Sequence, residues 1–261
     1  MILDGRTFSE GVYAELTSRR PVLQKDLALG IVACEPNAVI ESFVRIKARA
    51  AERLGVRLLR IDVSAAAGEE GVIRAVQELA PKTHGIIVQL PLPQSFDLER
   101  ILAAIPPTHD VDGISLNPMV LSPVALAVKT VLERHAVPIA GRNAVVIGAG
   151  RLVGAPVAKM LEKAGAHVTI ITKDSGSLSM LKIADIIVSG AGEPGLITPE
   201  MIREGVVLID AGTSEQGGKV KGDADPACAE KCSLFTPVPG GIGPVAVAMI
   251  FENLFELAER K

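Results

Sequence analysis

The chain has 261 residues, a formal charge of −3 and four scattered histidines with no metal-ligand spacing. It shows no basic patch interleaved with aromatics and no run of about 18 uncharged apolar residues, which argues against a nucleic-acid partner and a membrane span. Nearly half of it is hydrophobic, yet it has no Trp, one Tyr and six Phe, so the core is aliphatic, as suits a parallel sheet covered by helices.

Residues Thr7 to Arg19 have helical character. Ala28–Cys34 reads as a first buried strand, Glu35-Pro36-Asn37 as a turn and helix cap, and Ala38–Leu54 as a helix closed by Gly55. A strand over Val56–Val63, an amphipathic helix over Gly68–Leu79 and a strand over Gly85–Leu90 follow. This alternation predicts a parallel sheet with right-handed crossovers. Asp97–Ile105 is a short helix stopped by Pro106-Pro107, and Met119–His135 a long helix, with a break near Pro123, linking two domains. A second α/β series begins at Gly141: a strand over Asn143–Ile147, a glycine turn, a helix over Ala155–Ala164, and strands over Ala166–Thr172, Ala184–Gly190 and Val206–Asp210. An amphipathic helix over Gly243–Lys261 ends the chain. Cys228 and Cys232 share one helix face and read as packing residues. With Cys34 they suit a reducing, cytoplasmic setting better than a disulfide frame, and Met1–Arg6 does not read as a signal peptide.

Four segments could carry chemistry. Gln89 ends a buried strand just before Pro91 and Pro93, where open α/β sheets place ligands; taken alone it fits a turn cap equally well. Phe43 and Lys47 lie four apart on one helix face, a ring beside an ammonium; by itself the spacing is that of an ordinary amphipathic helix with Phe in the core. Asp110 and Asp112 could accept two hydrogen bonds from a guanidine-like ring edge, or cap their loop. Thr236–Pro244 has three glycines and three prolines, and lets backbone approach a ligand closely or serves as a rigid connector. Beyond these, Gly148-Ala149-Gly150-Arg151-Leu152-Val153-Gly154, between a strand and a helix, is the context of a dinucleotide fingerprint. Thr172 supplies no ribose-binding carboxylate, and Lys173 and Arg151 could pair with a 2′-phosphate. This leans to NADP, while Asp174 keeps NAD open.

In this order, Ile2-Leu3-Asp4-Gly5, Phe43-Val44-x-x-Lys47, Val88-Gln89-Leu90-Pro91-Leu92-Pro93, Asp110-Val111-Asp112-Gly113 and Thr236-Pro237-Val238-Pro239-Gly240-Gly241-Ile242-Gly243-Pro244 resemble the bifunctional methylenetetrahydrofolate dehydrogenase/cyclohydrolase (FolD-type) family over nearly the whole chain. The resemblance implies an α/β, two-domain protein. A folate-binding catalytic domain would span residues 1–118 plus 246–261, completed by the C-terminal helix, and a Rossmann NAD(P)-binding domain residues 119–245. It implies oxidation of 5,10-methylene-tetrahydrofolate with NADP, hydrolysis of the methenyl product to 10-formyl-tetrahydrofolate, and a homodimer. The match of Lys47 makes it the central catalytic group, with Gln89 holding it, Asp112 on the pterin edge and Phe43 stacking on the folate. By the same resemblance Pro239, Gly240, Gly241 and Gly243 would line the substrate site, while Gly148, Ala149, Gly150, Arg151, Gly154, Thr172 and Lys173, read from the fingerprint and the strand after it, would hold the cofactor.

The folate side is mostly intact, with a longer turn between Pro36 and Phe43 and a shorter connector after Asp112 than the family's, and the nicotinamide side is rewritten. Phe43 replaces the usual Tyr and His109 a common Lys; Ser122-Pro123-Val124-Ala125 stands in the region of Pro-Cys-Thr-Pro. Gly148-Ala149-Gly150 replaces Gly-Arg-Ser, Thr172-Lys173 a His-Ser pair, and Val245-Ala246 Met-Thr. They leave room for a monofunctional or altered-substrate pterin enzyme, or a non-catalytic folate- or nucleotide-binding paralogue.

Overall fold

Asp4 accepts hydrogen bonds from the backbone N–H groups of Arg6 and Thr7 at 3.0 and 3.2 Å. These two N–H groups would otherwise be orphans at the start of helix α1 (Gly5–Arg19). Strand β1 (Ala28–Cys34) is buried along its whole length, as its unbroken aliphatic run requires. Asn37 then caps α2 (Ala38–Arg53), accepting from the N–H groups of Val39 and Ile40 at 3.0 Å each. Strand β2 (Arg57–Val63), helix α3 (Gly68–Leu79), strand β3 (Gly85–Gln89) and helix α4 (Leu98–Ala103) follow. The computed structural model describes residues 1–23, 26–216 and 219–260, and over these the first α/β series forms as its alternation predicts.

The second series begins with α5 (Pro123–Arg134). The long helix expected from Met119 does not form: Pro123 opens the helix instead. Its fixed φ and missing N–H suit a first helical position, and it disfavours helical backbone at Ser122 before it. Strand β4 (Asn143–Ile147), helix α6 (Gly154–Lys163) and strands β5 (His167–Ile171), β6 (Ile186–Ser189) and β7 (Val207–Asp210) come next. Three short strands not anticipated from the sequence follow: β8 (Ser214–Gln216), β9 (Lys219–Lys221) and β10 (Leu234–Thr236). Helix α7 (Ile242–Glu259) ends the fold; Lys261, placed in this helix by the sequence, lies outside the described residues. The amphipathic character expected of α7 gives way to burial on several sides: Val245, Ala248, Phe251, Leu254, Phe255 and Ala258 are all fully buried. Among the described residues no helix is long and apolar enough to cross a membrane.

The chain divides into two compact units, one of Met1–Gly11 with Val124–Ala246, the other of Val12–Pro123 with the segment from Val247 onward. In the latter, three parallel strands run in the order β2-β1-β3, with Ala33 aligned to both Asp62 and Gln89. The C-terminal helix returns to this unit. Arg19 reaches Glu252 at 2.6 Å and Glu259 at 3.0 Å. Buried Asn253 donates to the carbonyls of Val111 and Leu121, each at 2.8 Å.

In the other unit five parallel strands run β10-β7-β6-β4-β5. Numbered from β4, that is the doubly wound order 2-1-3-4-5, with its switch point between β4 and β6. Its aliphatic core includes Val145, Ile187, Leu208 and Phe235, closed over by 3-10 turns at Leu178–Lys182, Pro199–Met201 and Pro226–Glu230. Cys228 lies in the last of these turns and Cys232 just after it, so the shared helix face expected for them does not exist. Both are buried in the core, and burial pushes their thiols up to about 11 and about 12, which suits packing and not nucleophilic chemistry.

Candidate active site

Helix α2 turns Ile40, Val44, Ala50 and Ala51 inward. Phe43 falls off that stripe and is 48% exposed, so the core placement that the bare spacing allowed is excluded, and a ring face stands open for stacking. One turn on, the Lys47 ammonium lies 5.8 Å from the centre of that ring. It donates to Gln89 Oε1 at 2.8 Å. Gln89, at the carboxyl end of β3 and 7% exposed, uses its amide nitrogen on the Leu90 carbonyl at 2.8 Å. With the nitrogen so committed, the oxygen has one orientation, toward Lys47. Burial pulls the proton affinity of Lys47 below the ordinary lysine range, with the Asp112 charge opposing.

The two candidate carboxylates have separate roles. Asp110 is fully buried, pairs through its backbone with Ile86 of β3, and accepts the Ser115 N–H at 2.8 Å; it fastens the loop. Asp112 is the one that feels Lys47. Burial pushes it up to about 6, the lysine charge restrains the rise, and Asp110 adds to it. Gly113 follows with φ +60, and a Cβ there would lie 2.8 Å from backbone atoms of residues 120–122. Asn253 bonds carbonyls on both sides of this loop. Nothing in the sequence singled it out; it stands beside Glu252 in the helix and reads like any other polar helix residue.

Pro239, Gly240, Gly241 and Gly243 belong to the other unit. There the Gly240 carbonyl accepts the Gly5 N–H at 2.8 Å, and a Cβ on Gly5 would lie 1.7 Å from the Gly241 oxygen. The Ile2-Leu3-Asp4-Gly5 and proline-glycine motifs thus pack together, backbone on backbone.

At the switch point of the five-stranded sheet lies a cavity of about 610 Å³, lined by the segments that leave β4, β5 and β6. Gly148, Ala149, Gly150, Thr172 and Lys173 line it. Gly154 lies beneath the turn, where a Cβ would come within 1.9 Å of the Gly148 oxygen. Arg151 is exposed and is not among the lining residues. The Thr172 hydroxyl is engaged with Ser175 Oγ at 2.9 Å. Asp174, Gly176, Gly190, Ala191 and Glu193 also line the cavity; sequence reasoning named only Asp174 among them, because nothing local marks Gly176 or the segment after β6 as a wall.

The chain matches the family model for the tetrahydrofolate dehydrogenase/cyclohydrolase catalytic domain over residues 3–112, and that for the NAD(P)-binding domain of the same name over residues 122–261. It is 37% identical to the bifunctional protein FolD of Methanoculleus marisnigri, over 99% of this chain and 96% of that one. Among solved structures, it superposes on the FolD methylenetetrahydrofolate dehydrogenase/cyclohydrolase of Campylobacter jejuni with a TM-score of 0.95 at 32% identity, covering 100% and 99% of the two chains. On the Trypanosoma brucei FolD complexed with NADP cofactor and an inhibitor, the TM-score is 0.92 at 31% identity, covering 100% and 97%.

Proposed function

The chain belongs to the tetrahydrofolate dehydrogenase/cyclohydrolase family, and from that premise we propose that it oxidises 5,10-methylene-tetrahydrofolate to the methenyl form with NADP and hydrolyses the product to 10-formyl-tetrahydrofolate. The observation that carries this reading is the partly buried bond from Lys47 to Gln89, beside an open aromatic ring and a carboxylate. Phe43 stacks on the flat heterocycle, and Asp112 accepts hydrogen bonds from its guanidine-like edge. In the hydrolysis, water adds to the cationic methenyl carbon and its proton passes to Nζ of Lys47. One carbon–nitrogen bond of the bridge then breaks as the adduct's hydroxyl loses its proton to become the formyl carbonyl and the departing nitrogen takes up a proton. Burial favours the neutral amine this step needs, and a cationic substrate adds to the effect. In the oxidation the bound substrate is held in line by Phe43 and Asp112, and orientation supplies most of what hydride transfer requires.

The cavity at the switch point suits a dinucleotide in volume and construction. Gly148, Gly154 and Gly190 each lack room for a Cβ, so the backbone cradles the phosphates ahead of the α6 N-terminus. NADP supplies the hydride acceptor when bound. Lys173, at the ribose end of β5, is the residue we assign to the 2′-phosphate, with Arg151 secondary because it lies off the cavity wall. Lys173→Ala is expected to weaken NADP about tenfold and leave NAD unchanged, as fits loss of a single ammonium contact. Parallel titrations with the two dinucleotides check this, and equal loss for both would remove Lys173 from the role.

Residues 1–118 with 246–261 act in this reading as the folate-binding domain, with 119–245 as the nucleotide-binding domain, in a cytoplasmic homodimer. The direct test is a spectrophotometric assay of purified protein with methylene-tetrahydrofolate and NADP, following reduced nicotinamide and the methenyl chromophore separately. Formation of neither would refute the reading.

Asp112 makes folate binding depend on pH. Its charged form accepts the pterin hydrogen bonds, and it gains a proton as pH falls through about 6. Folate affinity is therefore expected to fall by about tenfold per pH unit below that value, and to be weak and flat in Asp112→Ala, with NADP affinity unaffected. Calorimetry over roughly pH 5 to 8, which brackets the titration of this group, decides it. A wild type with no such fall would make Asp112 a loop carboxylate only.

A further inference from the structure

We propose that Asp223 is a positioning residue of the nucleotide site, its carboxylate fixing the backbone of residues 189–193 in the form that walls the cavity. The proposal rests on the reading of that cavity as the NADP site. Asp223 is fully buried. Its Oδ2 accepts from the Ser189 hydroxyl at 2.6 Å and the Ala191 N–H at 2.8 Å, and its Oδ1 accepts from the Glu193 N–H at 2.7 Å. Gly190, Ala191 and Glu193 all line the cavity, so one side chain holds two points on that wall, Ala191 and Glu193, and anchors Ser189 just ahead of it.

The segment is held from its other side by the glycine turn. The Gly190 N–H donates to the Ile147 carbonyl at 2.9 Å, and a Cβ on Gly190 would lie 2.5 Å from Val153 Cγ1. The carboxylate has a seat prepared for it. A Cβ on Gly212 would come within 2.2 Å of it, so the backbone after β7 is bare where Asp223 reaches across. The Asp223 backbone is tied down too, its carbonyl accepting the Ile197 N–H at 3.0 Å. A loop that leaves a strand at a switch point has no ladder of its own to define it. Here a charged acceptor with two oxygens substitutes for that ladder, and charge-assisted bonds are the stronger kind.

Asparagine matches the shape and fails the chemistry. With its amide nitrogen in the place of Oδ1 it faces the Glu193 N–H; in the place of Oδ2 it faces the Ser189 hydroxyl and the Ala191 N–H. Either way a buried donor meets a donor. Asp223→Asn is therefore expected to raise the NADP dissociation constant by about tenfold or more, with tetrahydrofolate affinity within about twofold of wild type, because the three bonds the carboxylate accepts all come from residues 189–193 and none from a residue assigned to folate. The loss should fall on KM for NADP and not on kcat at saturating NADP. Ser189→Ala removes one donor and leaves both N–H bonds, and a smaller loss of about two- to fivefold is expected.

Calorimetric titration of the full-length wild type and both variants with NADP and with tetrahydrofolate decides the matter. Unchanged NADP affinity in Asp223→Asn, or equal losses for both ligands, would overturn the positioning role. Should that variant not fold, unchanged NADP affinity in Ser189→Ala overturns the role on the same readout, and a loss for NADP alone supports it. A wild type that binds no NADP would refute the cofactor reading itself, and the proposal with it.

Discussion

Lys47→Met is expected to slow hydrolysis of methenyl-tetrahydrofolate by about 10²- to 10⁴-fold, the range for loss of a positioned acid–base group. Methionine keeps most of the apolar stem, so the packing of α2 changes little. The missing amine leaves Gln89 Oε1 without its donor at the end of β3, and water addition without a proton acceptor. Dehydrogenation should fall less, because hydride transfer draws on alignment by Phe43 and Asp112 and moves no proton through Nζ. Stability should shift by no more than about 1 kcal/mol. The lysine is partly buried with its proton affinity already depressed, so exchanging it for an apolar side chain of similar length relieves about as much as it removes. The pH dependence of hydrolysis that comes from deprotonating Lys47 should vanish with it. Stopped-flow decay of the methenyl chromophore across pH measures all of this. Hydrolysis within threefold of wild type, well inside the roughly hundredfold lower limit, would leave Lys47 a substrate-positioning cation.

The sequence disclosed what short-range patterning controls. Ala28–Cys34 and Gly85–Gln89 are aliphatic runs bounded by turn residues, and both are buried strands over almost those limits. Asn37 announced α2 because its side chain satisfies the first free N–H groups. The helix wrongly extended back to Met119 shows the limit of periodicity: Leu121 and Val124 continue the apolar pattern, and the backbone restriction at Pro123 overrides it. Strand β10, three residues long, has no periodicity to read and is fixed by its pairing with β7.

For the site, spacing could bring Phe43 and Lys47 to one helix face; only the fold shows that Phe43 faces outward and that Lys47 reaches Gln89, 42 positions away. The carboxylates were ambiguous for the same reason. Asp110 and Asp112 look alike in sequence, and what separates them is one bond to Ser115 and one neighbouring charge. Asn253 and Asp223 act on backbone 132 and more, or about 30, positions distant, and no local pattern encodes such a bond.

The glycine turn gives the second large effect, because its three glycines look equivalent in sequence and are not so in space. Gly148 has φ +91, and a Cβ on it would lie 2.8 Å from the Gly190 oxygen. A Cβ on Gly154 would sit 1.9 Å from the Gly148 oxygen and 2.6 Å from its carbonyl carbon. Both are backbone atoms, which cannot swing aside as a side chain would. Gly154→Ala must therefore push the first turn of α6 away from the strand it follows. We expect a loss of about 1–3 kcal/mol of stability, the range for overpacking, and at least about a tenfold loss in NADP affinity as the helix N-terminus moves off the phosphate position. Gly150 has nothing within 4 Å of its missing Cβ and no positive φ. Gly150→Ala should accordingly unfold at the wild-type temperature, whatever the added methyl does to the adjoining cavity. Thermal unfolding of the two variants beside the wild type separates them, since 1–3 kcal/mol in a protein of this size amounts to a drop of roughly 2–12 °C. If Gly154→Ala melts with the wild type, the contact between the turn and α6 is loose enough to accept a methyl group, and the phosphate cradle does not depend on it.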